Sequence, residues 1–194
     1  MNLEKYQQYS RIARGLEKAD LVLKNARIVN VFTEEIIRGD IAIQDGIIAG
    51  IGSFHGKEER DLAGRYVCPG FIDSHLHLES TLVTPAELVT AASRHGTTTF
   101  IVDPHESANV SGLAGIDYIL DQTEDVKANV YVMMPSCVPA TAIDDNGCTL
   151  TAEDMAPYLH NSRILGLGEV MDSISVVQGE KSMHDKLELF EGRI

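Results

Sequence analysis

Basic residues are scarce in this chain: 16 lysines and arginines stand against 29 aspartates and glutamates in 194 residues, a formal net charge of -13. That shortage excludes partners held through phosphates, because no basic stripe is available to displace counterions, so neither nucleic acid nor an anionic membrane is expected as a partner. Long apolar runs are also missing. No stretch approaches the length of a membrane span, and 1–16 carries charges and glutamines where a signal peptide needs an apolar core. Cysteine is limited to Cys68, Cys137 and Cys148, an odd set without C-x-x-C spacing, which fits a reducing compartment better than a disulfide framework. The expected location is cytoplasmic. What the chain does have is an ordinary 44% of hydrophobic residues, enough for a sizeable core, in a length that predicts one domain or slightly more.

The first 18 residues are polar and read as a short surface helix. From Ala19 to Ile51 short β-branched runs separated by turn residues predict a small all-β module, a sandwich or half of one. Asp45-Gly46 between two such runs is a hairpin signal, since a tight primed turn needs positive φ at both positions. After Gly64 strands alternate with helices: strands over 66–78, 97–102, 129–134 and 164–170, and helices over 85–94, 111–122, 151–159 and 181–190. Thr84 and Thr151 stand at helix starts, with Pro85 at a first helical position. Four consecutive strand-helix units imply parallel strands with right-handed crossovers. No glycine-rich dinucleotide fingerprint follows the first strand, and polar residues cluster at C-terminal strand ends. Two α/β architectures compete, an open doubly wound sheet and part of a TIM-type (β/α)8 barrel, and these signs favour the first four units of the barrel over 66–194, preceded by a helix and partial β-sandwich over 1–65.

The strand over 66–78 ends in Asp73-Ser74-His75-Leu76-His77-Leu78-Glu79. Alternate residues of a strand share a face, so His75 and His77 can reach one metal ion. The second strand ends in Asp103-Pro104-His105-Glu106, where Pro104 keeps Asp103 extended. Two readings of it stand: Asp103 caps the following loop, or Asp103 and His105 turn into the barrel mouth to orient a ligand or contact substrate. Cys137, at the third strand end, reads as a packing residue. Glu169 sits in the fourth strand, where a buried carboxylate needs a cation, supplied either by a metal at His75 and His77 or by a basic side chain. His55, His95, His160 and His184 read as solvated or structural.

The run Pro69-Gly70-Phe71-Ile72-Asp73-Ser74-His75-Leu76-His77 resembles the first-strand signature of the amidohydrolase superfamily. His75 to Ser80, Val102 to Glu106 with Ala108-Asn109-Val110, Met134 to Pro139 and Leu167 to Met171 narrow the resemblance to its adenine deaminase family. That resemblance implies hydrolytic deamination of adenine, a step of purine salvage, at a divalent and binuclear manganese, iron or zinc centre. It implies His75, His77 and Glu169 as metal ligands, Glu169 and His105 as catalytic residues, and Glu79 and Asp103 near the purine substrate. It also implies later metal-binding histidines and a catalytic aspartate that lie outside these 194 residues. The isolated chain is therefore expected to be inactive, and to act as a homo-oligomer or with a complementing C-terminal half. Two alternatives remain open from sequence: an amidohydrolase acting on a cyclic amide or N-acetyl substrate, whose relatives carry a lysine where Glu169 stands, and a non-catalytic half-barrel subunit.

Overall fold

The computed structural model describes residues 2–141 and 143–193, which form two units, Met1–Pro69 and Gly70–Ile194. The first begins with α1 (Leu3–Ala13), capped by the Asn2 side chain accepting from the Lys5 N–H at 2.9 Å. Its remaining elements are β1 (Ala19–Asn30), β2 (Glu35–Gln44), β3 (Ile47–Gly52), β4 (Gly56–Asp61) and β5 (Tyr66–Val67). They form one five-stranded sheet in the order β3-β2-β1-β4, with β5 also pairing with β1. Among the described residues this is a single sheet, so of the two expectations, a sandwich or half of one, it is not the complete sandwich. The short apolar runs fuse into long strands because an irregularity at Lys24 and Asn25, the latter at φ +56, lets β1 bend without breaking. Asp45 and Gly46 do form the hairpin turn, at φ +50 and +75.

β4 has no apolar period, and the sequence reading did not find it. Its residues, Gly-Lys-Glu-Glu-Arg-Asp, are held by a parallel ladder to β1, and charge on an edge strand guards it against pairing with other chains. Beneath the sheet Ile12 packs on Ala19, Val22, Ala42 and Phe54.

One buried polar contact in this unit has a pH consequence. Asp40, 7% exposed, takes Lys24 Nζ at 2.5 Å and the N–H groups of Asn25 and Phe54 at 3.1 and 3.2 Å. Burial by itself pushes the Asp40 carboxyl up, but these donors outweigh it and hold it below the usual carboxylate range. A carboxyl depressed in the folded state adds stability above its unfolded value near 3.9, and that stability is lost as pH falls through the folded value. Asp40→Asn is thus expected to lower the thermal midpoint at neutral pH by several degrees and to flatten the acid limb of stability against pH below about 4. Identical acid limbs for the variant and the unaltered chain would refute this.

The second unit is a parallel sheet in consecutive order: β6 (Phe71–Leu76), β7 (Thr97–Val102), β8 (Asn129–Met134) and β9 (Ile164–Leu167). Between the strands run α2 (Pro85–Ser93), then α3 (His105–Ser111) with α4 (Leu113–Gln122), then α5 (Ala152–Met155). After β9 come α6 (Ser173–Gln178) and α7 (Lys181–Leu189). Phe100, Val102, Val130, Val132 and Met134 alternate along the two central strands and bury one face against Val89, Ile116, Ile119, Met155 and Phe190. Each large apolar side chain so buried contributes about 1.5–3 kcal/mol.

Four expected elements change, the helix over 151–159 among them, since it is α-helical only over α5 and continues as a 3-10 helix over Ala156–His160. The strand over 66–78 is two strands, because Pro69 has no N–H to give a ladder; Tyr66–Val67 pairs with β1, and β6 is a largely exposed edge strand rather than a buried one. The helix over 111–122 is preceded by α3 and separated from it by Gly112 at φ +60, where a Cβ would meet Cys148 Sγ at 2.6 Å. The strand over 164–170 stops at Leu167, three residues early. Thr151 does start its helix, in a reciprocal capping box with Asp154.

Candidate metal centre

His75 and His77 stand at the C-terminal end of β6, two residues apart and on one face. Their rings meet edge to face at 4.9 Å between centroids, with the Nε2 atoms 3.2 Å apart. Glu169, two residues past β9, places Oε1 3.3 Å from His77 Nε2 and Oε2 3.6 Å from His75 Nε2. One ligand atom from each of the three lies within 4.8 Å of the others. Bonds of about 2.0–2.2 Å in a four-coordinate site put neighbouring donor atoms about 3.2–3.6 Å apart, so two imidazole nitrogens and a carboxylate at these spacings suit one divalent ion. Among themselves the two imidazoles can share one proton across their 3.2 Å contact, which leaves both Glu169 oxygens facing the pair.

Behind His77, Nδ1 is buried and lies 3.3 Å from Glu106 Oε2 in the first turn of α3. A carboxylate on the far nitrogen of a ligating histidine fixes its tautomer and raises its basicity. Burial pulls His77 down, but Glu106, Asp103 and Glu169 together hold it above the ordinary imidazole value. Glu79 sits in a short 3-10 turn after β6 and directs Oε1 to the N–H groups of Glu106 and Ser107, at 3.1 and 3.2 Å. Burial pushes the Glu79 carboxyl up, whereas Glu106, despite its own burial, is held low by its hydrogen bond with Glu79. Glu106 presents its carboxylate to His77.

Asp103 and His105, at the end of β7, are almost fully buried. Asp103 Oδ1 approaches His105 Nδ1 to 2.6 Å, off the line of a straight hydrogen bond, while Oδ2 accepts the Glu169 N–H at 2.9 Å. The Asp103 N–H donates to the Leu76 carbonyl at 2.9 Å, so this residue ties the ends of β6, β7 and β9. Gly168 makes room for it: a Cβ there would stand 2.2 Å from Asp103 Oδ2. His105 Nε2 is buried with no hydrogen-bond partner among the described residues. Beside His105 and Glu106 a cavity of about 540 Å³ opens, bordered also by Asn109, Cys137 and Met171.

The residues singled out from sequence thus converge, with one premise corrected. Glu169 is not within a strand, and its side chain is 40% exposed, so a buried-charge argument does not apply to it. Gly168 donates the last bond of the β8–β9 ladder, to Met134 O at 2.7 Å, and the Glu169 N–H then turns to Asp103. Glu106 was missed because its role depends on α3, which begins at His105. Cys137 is buried, as a packing residue should be. Among the described residues no helix is long and apolar enough to cross a membrane.

The model of the amidohydrolase family matches residues 66–189. The chain is 57% identical over 194 residues to a protein of Desulfitobacterium hafniense named adenine deaminase, all of this chain aligning with 34% of that relative. Proteins of the same name from Geobacillus kaustophilus and Clostridium acetobutylicum are 51% and 50% identical, over 89% and 91% of this chain and 30% and 31% of theirs. The chain therefore spans about a third of the length of the curated relatives it matches.

Proposed function

This chain belongs to the amidohydrolase family, and from that premise we propose that it carries the metal-binding half of a centre that deaminates adenine to hypoxanthine and ammonia. The observation that carries the proposal is the convergence of His75 Nε2, His77 Nε2 and the Glu169 carboxylate at 3.2 to 3.6 Å. A divalent ion, manganese, iron or zinc, would be held there by His75, His77 and Glu169 and would supply Lewis-acid chemistry, and in a binuclear centre Glu169 would be the ligand shared with the second ion. Replacing the amino group of adenine by water requires protons to move from the incoming water to the departing nitrogen. His105, oriented by Asp103 and with Nε2 unpartnered, and Glu169 are the groups proposed to move them. Glu79 supports the site from behind by holding α3, and Asp103 by holding Glu169, and both remain proposed to lie near the substrate. A cavity of about 540 Å³ is ample for a purine beside these residues.

The same proposal reads 66–194 as the first half of a (β/α)8 barrel and 1–65 as part of a composite β domain. It takes the location as cytoplasmic and the partner as a second copy or a polypeptide like the remainder of the relatives. A chimera tests the activity, with these 194 residues replacing the matching part of the Desulfitobacterium relative. Loaded with manganese it should convert adenine to hypoxanthine, followed by ultraviolet absorbance, and Glu169→Gln should abolish the conversion. A folded, metal-loaded chimera that leaves adenine untouched while the intact relative consumes it would sink the assignment.

A further inference from the structure

Glu169 lies outside any strand, so no ladder fixes its backbone, yet both of its main-chain polar groups are held by buried side chains from neighbouring strand ends. The N–H goes to Asp103, as described. The carbonyl accepts from Ser136 Oγ at 2.5 Å, and Ser136, just past β8, is completely buried. Ser136 is itself held: Lys186 of α7, 7% exposed, donates from Nζ to the Ser136 carbonyl at 2.7 Å. Burying an ammonium against a neutral carbonyl is costly, and that cost is maintained at a point that anchors the loop carrying Ser136.

From this geometry we infer that Ser136 is a positioning residue for the metal centre, setting the Glu169 carboxylate through its backbone carbonyl, with Lys186 bracing Ser136 from α7. The inference rests on the proposed metal reading. A carboxylate on a half-exposed loop explores many positions, and each must be surrendered when it ligates. Clamping the backbone on both sides removes that cost before the ion arrives, and loss of such outer contacts typically weakens metal binding about 10–100-fold. Ser136 belongs to the Met134 to Pro139 run, where nothing in the sequence pattern sets its hydroxyl apart from a loop serine.

Cobalt(II) titration of the purified chain, followed by the visible d–d bands and by calorimetry, provides the test. Ser136→Ala should weaken cobalt binding about tenfold or more and change the band shape. Thr123→Val removes a comparably buried hydroxyl, bonded to the Ile119 carbonyl, and should lower the thermal midpoint while leaving cobalt affinity and spectrum unchanged. A merely structural Ser136 would behave like Thr123. If Ser136→Ala does not fold, Lys186→Met, which frees the Ser136 carbonyl, should show the same loss. Full cobalt affinity in the folded serine variant, or failing that in Lys186→Met, together with its loss in Glu169→Gln, would overturn the inference and leave the metal reading intact. Unchanged affinity in Glu169→Gln would overturn both.

Discussion

Replacing Glu169 by glutamine is expected to cut the affinity of the chain for manganese on the order of a hundredfold, while the thermal midpoint of the metal-free chain stays within a degree or two. The amide is nearly isosteric with the carboxylate, and the main-chain bonds to Asp103 and Ser136 do not involve the side chain, so the loop keeps its course. What is lost is the only negative charge in the group of His75, His77 and Glu169 and an oxygen facing each imidazole. Two neutral nitrogens remain, which hold a hard divalent ion poorly. Calorimetric titration reads the change directly. Equal affinities in the two chains would mean that the ion binds elsewhere or not at all.

Gly168→Ala is expected to have the largest effect on stability of any single methyl addition near the centre, about 2 to 4 kcal/mol by urea denaturation. The added Cβ would lie 2.2 Å from Asp103 Oδ2, 2.7 Å from its Cγ and 2.8 Å from Oδ1. Asp103 is 1% exposed and cannot swing into solvent, so either its carboxyl is displaced within the core or the segment after β9 lifts away from it. Both responses break the bond to the Glu169 N–H and disturb His105. The need for glycine here is steric, because Gly168 does not have a positive φ. Metal affinity should fall in the same variant. A change within about 0.5 kcal/mol would show that the site has slack the geometry does not reveal.

The helix and strand pattern of the second unit was readable because its apolar residues follow the periods of those elements, as in Phe100, Val102, Val130 and Val132. The histidine pair was readable for a similar reason, since spacing by two on a strand fixes a shared face. β4 was not, because its pairing depends on the neighbouring β1 rather than on its own charged residues. The supporting shell was hidden for a different reason. Glu106, Ser136 and Gly168 act through contacts 27 to 65 positions away in sequence, and a short-range pattern carries no record of them. The overextended fourth strand had a third cause: Val170 and Met171 continue the apolar texture, but after the bond from Gly168 to Met134 the Glu169 N–H goes to Asp103 and the ladder ends.

The bond between Asp103 and Glu169 spans 66 positions and links the second strand of the parallel sheet to the fourth. No partially folded chain with β9 undocked can present the three donors together, whatever local structure surrounds His75 and His77. If the proposed centre takes an ion, binding would stay silent until β9 docks. Because an ion that recognises only the assembled state stabilises it by RT ln(1 + [ion]/Kd), dissolved metal should slow the exchange of amide hydrogens in β9 as much as in β6, though β9 contributes no histidine.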